Sequence, residues 1–152
     1  MGRAAPAASR MTAGSLPAEV SAFRQSMTTQ LDAYFRQYGD RLSAAERQQM
    51  NALRDQVDRD LLMLKVKTQT TSRLASARAP QVKRIAAAQA AARAFDAVYE
   101  KAMHGLEQVQ PILQPKLSIF EALRAKSDLD DQLEKFDELG RHVHELAGAQ
   151  DH

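Results

Sequence analysis

Apolar side chains return every three or four residues along almost the whole chain, and this period is the strongest constraint on its fold. Val20, Phe23, Met27, Leu31, Tyr34 and Tyr38 make the first run. Met50, Leu53, Val57, Leu61 and Leu64 make the second. Val82, Ile85, Ala88, Ala92, Phe95, Val98, Ala102, Leu106 and Val109 make the third. A fourth runs Ile119, Ala122, Lys126, Leu129, Leu133, Phe136, Gly140 and Val143, with only Lys126 and Gly140 departing from the apolar pattern. Spacings of three and four put these residues on one face of an α-helix, whereas a half-buried strand would alternate every second residue.

Turn signals set the boundaries. Pro17 suits the first turn of a helix that Gly39-Asp40 then stops. Ser43 with Glu46 three residues later predicts a capping box, with Leu42 placed to staple onto the first turn. The second helix weakens beyond Lys67 through "TQTTSRLASARAP" and is expected to fray before Pro80. The third is expected over residues 81–110, with Pro111 and Pro115 breaking it. The fourth is expected from Pro115 to about Ala147, kinked near Ser127.

Short links between such helices force antiparallel neighbours. The expectation is an all-α, up-down-up-down four-helix bundle with long, coiled-coil-like helices, one domain over residues 16–148. Residues 1–15 show no period and read as a tail, disordered or left over from expression. Composition agrees: 44% hydrophobic and 26% charged residues, with five Phe, three Tyr and no Trp, leave little β-branched and aromatic bulk for sheets. The first helix is too short to cover the others, so part of an apolar stripe stays bare. That predicts a homodimer or a functional groove.

Chemistry is harder to find than fold. The six glycines are isolated, so no phosphate-cradling loop exists. Carboxylates are scattered along polar faces, and no positioned acid–base pair is evident. Zero cysteines exclude thiol catalysis and Cys-type zinc sites. His142 and His144, two apart, fall on different helix faces, and Glu100/His104 and Glu138/His142 lack the Glu-x-x-His spacing of di-iron bundles. They read as surface residues. The reading is a non-enzymatic protein with no catalytic residues, no cofactor and no metal. No apolar run approaches the ~18 residues of a membrane span. The N-terminus has no apolar core of a secretory signal, so the place is periplasmic if a leader was removed and cytoplasmic otherwise.

Charge is segregated. Between Leu61 and Phe95 there are seven bases and no acid, while Asp128–Glu138 holds six acids and one Lys. Folding of the second and third helices gathers Lys65, Lys67, Arg73, Arg78, Lys83 and Arg84 toward one tip, which would suit a protein partner or an anionic membrane surface. The lack of interleaved aromatics argues against nucleic acid. The methionines sit at core spacing, with an adaptable client-binding surface as the alternative.

"LSAAERQQMNALRDQ" resembles the first signature of the Spy/CpxP family of periplasmic stress proteins, a Leu-Thr-x-x-Gln helix start followed by a basic, Gln-rich helix. Leu42 fits; Ser43 replaces Thr and Glu46 replaces Gln. The family's second signature is matched to "ILQPKLSIF", where Leu113 and Pro115 are kept, with Phe120 following. The resemblance covers residues 42–120. It implies a small helical dimer that holds unfolded clients on a concave, basic, partly apolar surface without ATP, or senses envelope stress or metal. Alternatives from other classes are a membrane-surface targeting module using the basic tip, and a secretion-system or scaffold adaptor.

Overall fold

The computed structural model describes residues 12–151. Four helices follow one another: α1 (Leu16–Tyr38), α2 (Ala44–Ser76), α3 (Gln81–Leu113) and α4 (Ile119–Asp151), with no strand among the described residues. They pack as an all-α antiparallel bundle, α2 against α3 most extensively and α1 against α4 least. At 1.5 Å per residue α1 is about 35 Å long and the others about 50 Å.

Several boundaries differ from the sequence expectation. α2 ends at Ser76, before Pro80 as expected, and its weak last turns hold because Thr68 and Thr71 are buried and donate their hydroxyls to main-chain carbonyls of Lys65, Lys67 and Ala87. α3 passes through Pro111 to Leu113; so near the helix end, proline forfeits one ladder bond and little more. α4 is one continuous helix through Ser127, as its unbroken period predicts, but it begins at Ile119, four residues after Pro115. Pro115 lies in a 3₁₀ turn, Gln114–Lys116, and Leu113 closes α3, so neither residue starts a helix. Of the expected tail, residues 1–11 lie outside the described residues. Thr12 and Ser15 form a turn with reciprocal main-chain to side-chain hydrogen bonds of 3.0 and 3.2 Å, just before α1.

The corrected boundaries expose an internal repeat. Tyr38 and Leu113 end their helices, Gly39–Arg41 and Gln114–Lys116 form 3₁₀ turns, and Ala44–Ser76 and Ile119–Asp151 form the next helices, all at an offset of 75 residues. Each second helix is capped identically. Ser43 and Glu46 exchange hydrogen bonds of 2.9 and 3.1 Å, and Ser118 and Glu121 exchange bonds of 2.8 and 3.2 Å. Buried positions repeat as well: Leu61 with Phe136, Leu64 with Leu139, Thr68 with Val143. The molecule is a helical hairpin used twice.

One half of the bundle is solid. Leu16, Val20, Leu61, Leu64, Ala88, Ala91, Ala92, Leu139 and Val143 are buried together, near the end where α2 turns into α3. At mid-length, Phe136 of α4 stacks on Phe23 of α1 at 4.8 Å and meets the rings of Phe95 and Tyr99 of α3 at 5.1 and 5.0 Å. Fully burying one such ring is worth about 1.5–3 kcal/mol. Gly140 allows α3 and α4 to meet here, since a Cβ at that position would collide with the edge of the Phe95 ring. α1 is held to α2 by two bidentate pairs: Arg24 to Asp58 at 2.8 and 3.1 Å, and Arg54 to Asp32 at 2.9 and 3.1 Å. Arg24, and then Thr28, hold the Asp58 carboxyl below the usual carboxylate range.

Candidate functional site

Beyond the aromatic layer the bundle is hollow. An apolar cavity of about 520 Å³ runs between all four helices toward the end that carries both 3₁₀ turns. Phe23 and Phe136 form its floor; Leu31, Met50, Met103, Leu106, Leu129 and Leu133 are among its walls. A sealed void of this size would cost about 12 kcal/mol at ~24 cal/mol per Å³, as much as the whole stability of a small domain. The cavity is not sealed. The exposed residues on its lining are Gln110, Gln114, Ile119, Leu123 and Lys126, which places the mouth at the end of α3 and along the first two turns of α4. Water finds few partners on such walls, so an apolar occupant is favoured over solvent.

The repeat explains why one side is open. Residue 30 of α1 is the counterpart of residue 105 of α3. At 105 there is Gly, and Leu53 of α2 occupies the space a Cβ would need, so α2 and α3 approach closely. At 30 there is Gln, whose carbonyl accepts from Gln132 of α4 at 2.8 Å; Gln132 also donates to Ser26 at 3.0 Å. Four residues on, the Tyr34 hydroxyl donates to Asp128 at 2.6 Å. Burial and that carboxylate raise the Tyr34 pKa, so the phenol keeps its proton. The α1–α4 seam is therefore polar, with a crevice lined by Gln25, Thr29, Gln37 and Arg124, while its pseudo-symmetric partner is apolar and tight.

At the mouth, Ile119, Phe120 and Leu123 are 79%, 85% and 60% exposed. Their counterparts at the start of α2 are Ala44, Ala45 and Gln48, also exposed. The same backbone position thus tolerates small or polar residues, and folding does not ask for large apolar ones. An exposed ridge continuous with an apolar cavity is characteristic of an interaction surface.

Two ion pairs brace this end reciprocally. Arg41, in the turn before α2, grips Glu121 of α4 at 2.6 and 3.0 Å, while Lys116, in the turn before α4, lies 3.5 Å from Glu46 of α2. Arg41, followed by the Ser118 amide, brings the Glu121 pKa down to about 2. The Ser43 amide, then Lys116, lowers that of Glu46. Leu42 and Leu117, each just before a cap, both line the cavity.

The basic residues are at the opposite, solid end. Arg73, Arg78 and Lys83 are exposed around the α2–α3 turn, with Val82 beside them 78% exposed. Arg84, in the first turn of α3, folds back on the link, its Nε donating to the Ala79 carbonyl at 2.9 Å. Lys67 and Lys65 lie further back along α2, about 14 and 17 Å from its C-terminus at helical rise, and do not join the tip. Arg78 itself takes a left-handed conformation, φ 53°, in a helix stop where Ala79 and Arg78 donate to Leu74 and Ala75.

The histidines do not converge. His144 Nε2 lies 2.7 Å from Asp96 of α3, and His142 Nδ1 lies 3.3 Å from Glu19 of α1. His142 is largely buried, not on the surface as the sequence suggested, because α1 covers that face of α4. No group of three or more metal-ligating side chains occurs among the described residues. No helix among them is long and apolar enough to cross a membrane.

Sequence reasoning missed the second cap and the hollow. Leu117-Ser118-x-x-Glu121 repeats Leu42-Ser43-x-x-Glu46 letter for letter, and sliding the chain by 75 residues would have found it. Set beside protein-family models, curated proteins and solved structures, the chain matches none.

Proposed function

We propose that this chain is a non-enzymatic binding protein that holds exposed apolar segments of unfolded polypeptides at the open end of its bundle, without ATP, as an envelope stress chaperone does. The observation that carries this is the Ile119–Phe120–Leu123 ridge, set where the other repeat has Ala44, Ala45 and Gln48. Met27, Met50 and Met103 on the cavity lining add adaptable, polarisable surface suited to varied side chains. The paired Leu-Ser-x-x-Glu caps are what favours the Spy/CpxP-like reading, and with it a periplasmic place. The test is suppression of aggregation of a reduced, unfolded substrate without nucleotide. The wild type suppresses it at a few-fold molar excess, and the triple variant I119S/F120S/L123S does not. A wild type without effect at that excess rejects the proposal.

A second reading rests on Val82, an exposed aliphatic residue flanked by Arg78 and Lys83. A basic tip carrying one apolar residue suits an anionic membrane surface, at ~1 kcal/mol per base near the lipid. Flotation with vesicles containing acidic lipid, lost in R73E/R78E/K83E and absent with neutral vesicles, would favour it.

A further inference from the structure

The repeat shows which surface residues the fold does not require, and the outer face of α2 carries three of them. Leu62, Met63 and Val66 are 41%, 59% and 44% exposed and adjoin on one turn of that face. Their counterparts 75 residues on are Asp137, Glu138 and Arg141 of α4. The fold accepts full charges at these positions, so packing does not account for apolar side chains there, and an exposed apolar cluster points to an interaction surface.

The charge around the cluster has one sign. Arg59, Leu62, Val66, Thr70 and Arg73 follow one another at spacings of three and four, all exposed, with Met63 and Lys67 beside them. This strip is about 21 Å long at helical rise. No acid occurs between Leu61 and Phe95, so neither this part of α2 nor the part of α3 packed on it carries one. The one acid of α1 before Asp32 is Glu19, which turns to α4 and lies 3.3 Å from His142. Asp96 likewise turns from α3 to α4, 2.7 Å from His144. Toward the open end, Asp55 is taken by Arg54 at 3.3 Å and Asp58 by Arg24 at 2.8 Å, and half-buried Asp60 marks the border of the strip.

α4 is the reverse. Asp130, Asp131, Glu134, Asp137 and Glu138 are exposed along it, with Lys135 the one base among them. α2 and α4 each pack on α1 and α3, which places them at opposite corners of the bundle. The molecule therefore has a basic, apolar side and an acidic side facing away from it.

From this placement we propose that the outer face of α2 docks on an anionic bilayer. The protein lies along the membrane with Leu62, Met63 and Val66 among the headgroups and Arg59, Lys67 and Arg73 against lipid phosphates. Apolar residues flanked by bases on one helix face are how interfacial helices bind such surfaces, and each base near the lipid multiplies partitioning about fivefold. A partner helix is seated in a groove; the outer face of α2 is convex, and neither the cavity nor the crevice reaches Leu62, Met63 or Val66. The acidic side is repelled by the same lipid, which fixes the orientation. Ile119, Phe120 and Leu123 belong to α4, so the ridge stays open to clients on the side away from the membrane. The inference rests on the anionic-membrane reading for its lipid and moves the contact from the tip to the side of the molecule. It is independent of the client reading.

The test is flotation of the full-length protein with vesicles of equal parts phosphatidylglycerol and phosphatidylcholine, or of phosphatidylcholine alone. The chain has no cysteine, so M63C, V82C and E138C each carry a single environment-sensitive fluorophore. Wild type is expected to float with the acidic vesicles only. The label at 63 should shift to the blue and be quenched by brominated acyl chains, while the label at 138 should not respond. L62Q/M63Q/V66Q, built from a good helix former, should keep the wild-type thermal midpoint and weaken flotation at least tenfold. K67Q/R73Q should weaken it roughly 25-fold, two bases at about fivefold each. I119S/F120S/L123S should float as wild type does, which separates failure of this inference from failure of the client reading. A wild type that does not float with acidic vesicles overturns the proposal, as does undiminished flotation of L62Q/M63Q/V66Q. A label that responds at 82 and is silent at 63 assigns the lipid to the tip and overturns it, leaving the tip reading intact. Binding to immobilised poly-glutamate as tight as to the vesicles would assign the face to an acidic protein instead, and would also overturn it.

Discussion

Arg41 and Glu121 lie 80 positions apart in sequence and share two hydrogen bonds, of 2.6 and 3.0 Å, across the open end of the bundle. With the pseudo-symmetric Lys116–Glu46 pair, they tie each hairpin's turn to the other hairpin's helix start. This bracing matters because little else holds that end together: the cavity removes the apolar packing that secures the opposite half.

Acid should therefore loosen the open end first. Glu121 has a folded pKa near 2, against 4.5 for the unperturbed group. A depressed folded value means that its stabilisation is complete above about pH 4.5 and is lost as pH falls from there toward 2. Glu46 shifts in the same direction. Hydrogen exchange at pH 3 should show amides of residues 40–50 and 115–125 losing protection before those of 85–98, and Glu121→Gln should remove most of the difference between pH 6 and pH 3.

The two close-approach glycines should respond differently to the same change. Gly140→Ala drives a methyl into Phe95, which Phe136 and Tyr99 hold in place, and should cost about 1–3 kcal/mol. Gly105→Ala meets only Leu53, a flexible side chain on the cavity wall that can swing into open space. There the better helix propensity of Ala, about 0.8–1 kcal/mol, should leave stability near wild type. Urea denaturation of both variants measures the contrast.

Arg78→Gly should stabilise. A left-handed backbone costs a residue with a Cβ about 1–2 kcal/mol, and glycine relieves it while keeping the helix stop. A rise of about 3–5 °C in thermal midpoint is expected for a chain of this size. The same variant removes one base from the tip, so flotation on acidic vesicles should weaken if that surface meets lipid.

How much of this was legible in the sequence follows from what periodicity encodes. The spacing of Val20, Phe23 and Met27, or of Val98, Ala102 and Leu106, fixes helices and their inward faces, because burial acts on every turn. The Ser43–Glu46 box was legible because both bonds are local. Its twin at Ser118–Glu121 was obscured by Pro115, a strong stop signal that the chain absorbs in a 3₁₀ turn. A short first helix predicted a groove, but neither the place nor the cause of the hollow was legible. Leu31, Met103 and Leu129 have the same period as Leu61, Phe95 and Leu139, and whether facing side chains meet depends on distances between helices. Those distances are set by single residues, Gly105 on one seam and Gln30 on the other, whose effect appears only once their partners Leu53 and Gln132 are in place.

The most direct test of the account is where an unfolded client touches the protein. A photo-reactive amino acid placed at Leu123, on the mouth of the cavity, or at Arg78, on the basic tip, can be cross-linked to a reduced substrate under identical illumination. The account predicts a strong adduct from position 123 and only background from position 78. Equal adducts from both positions, or an adduct from 78 alone, would contradict it.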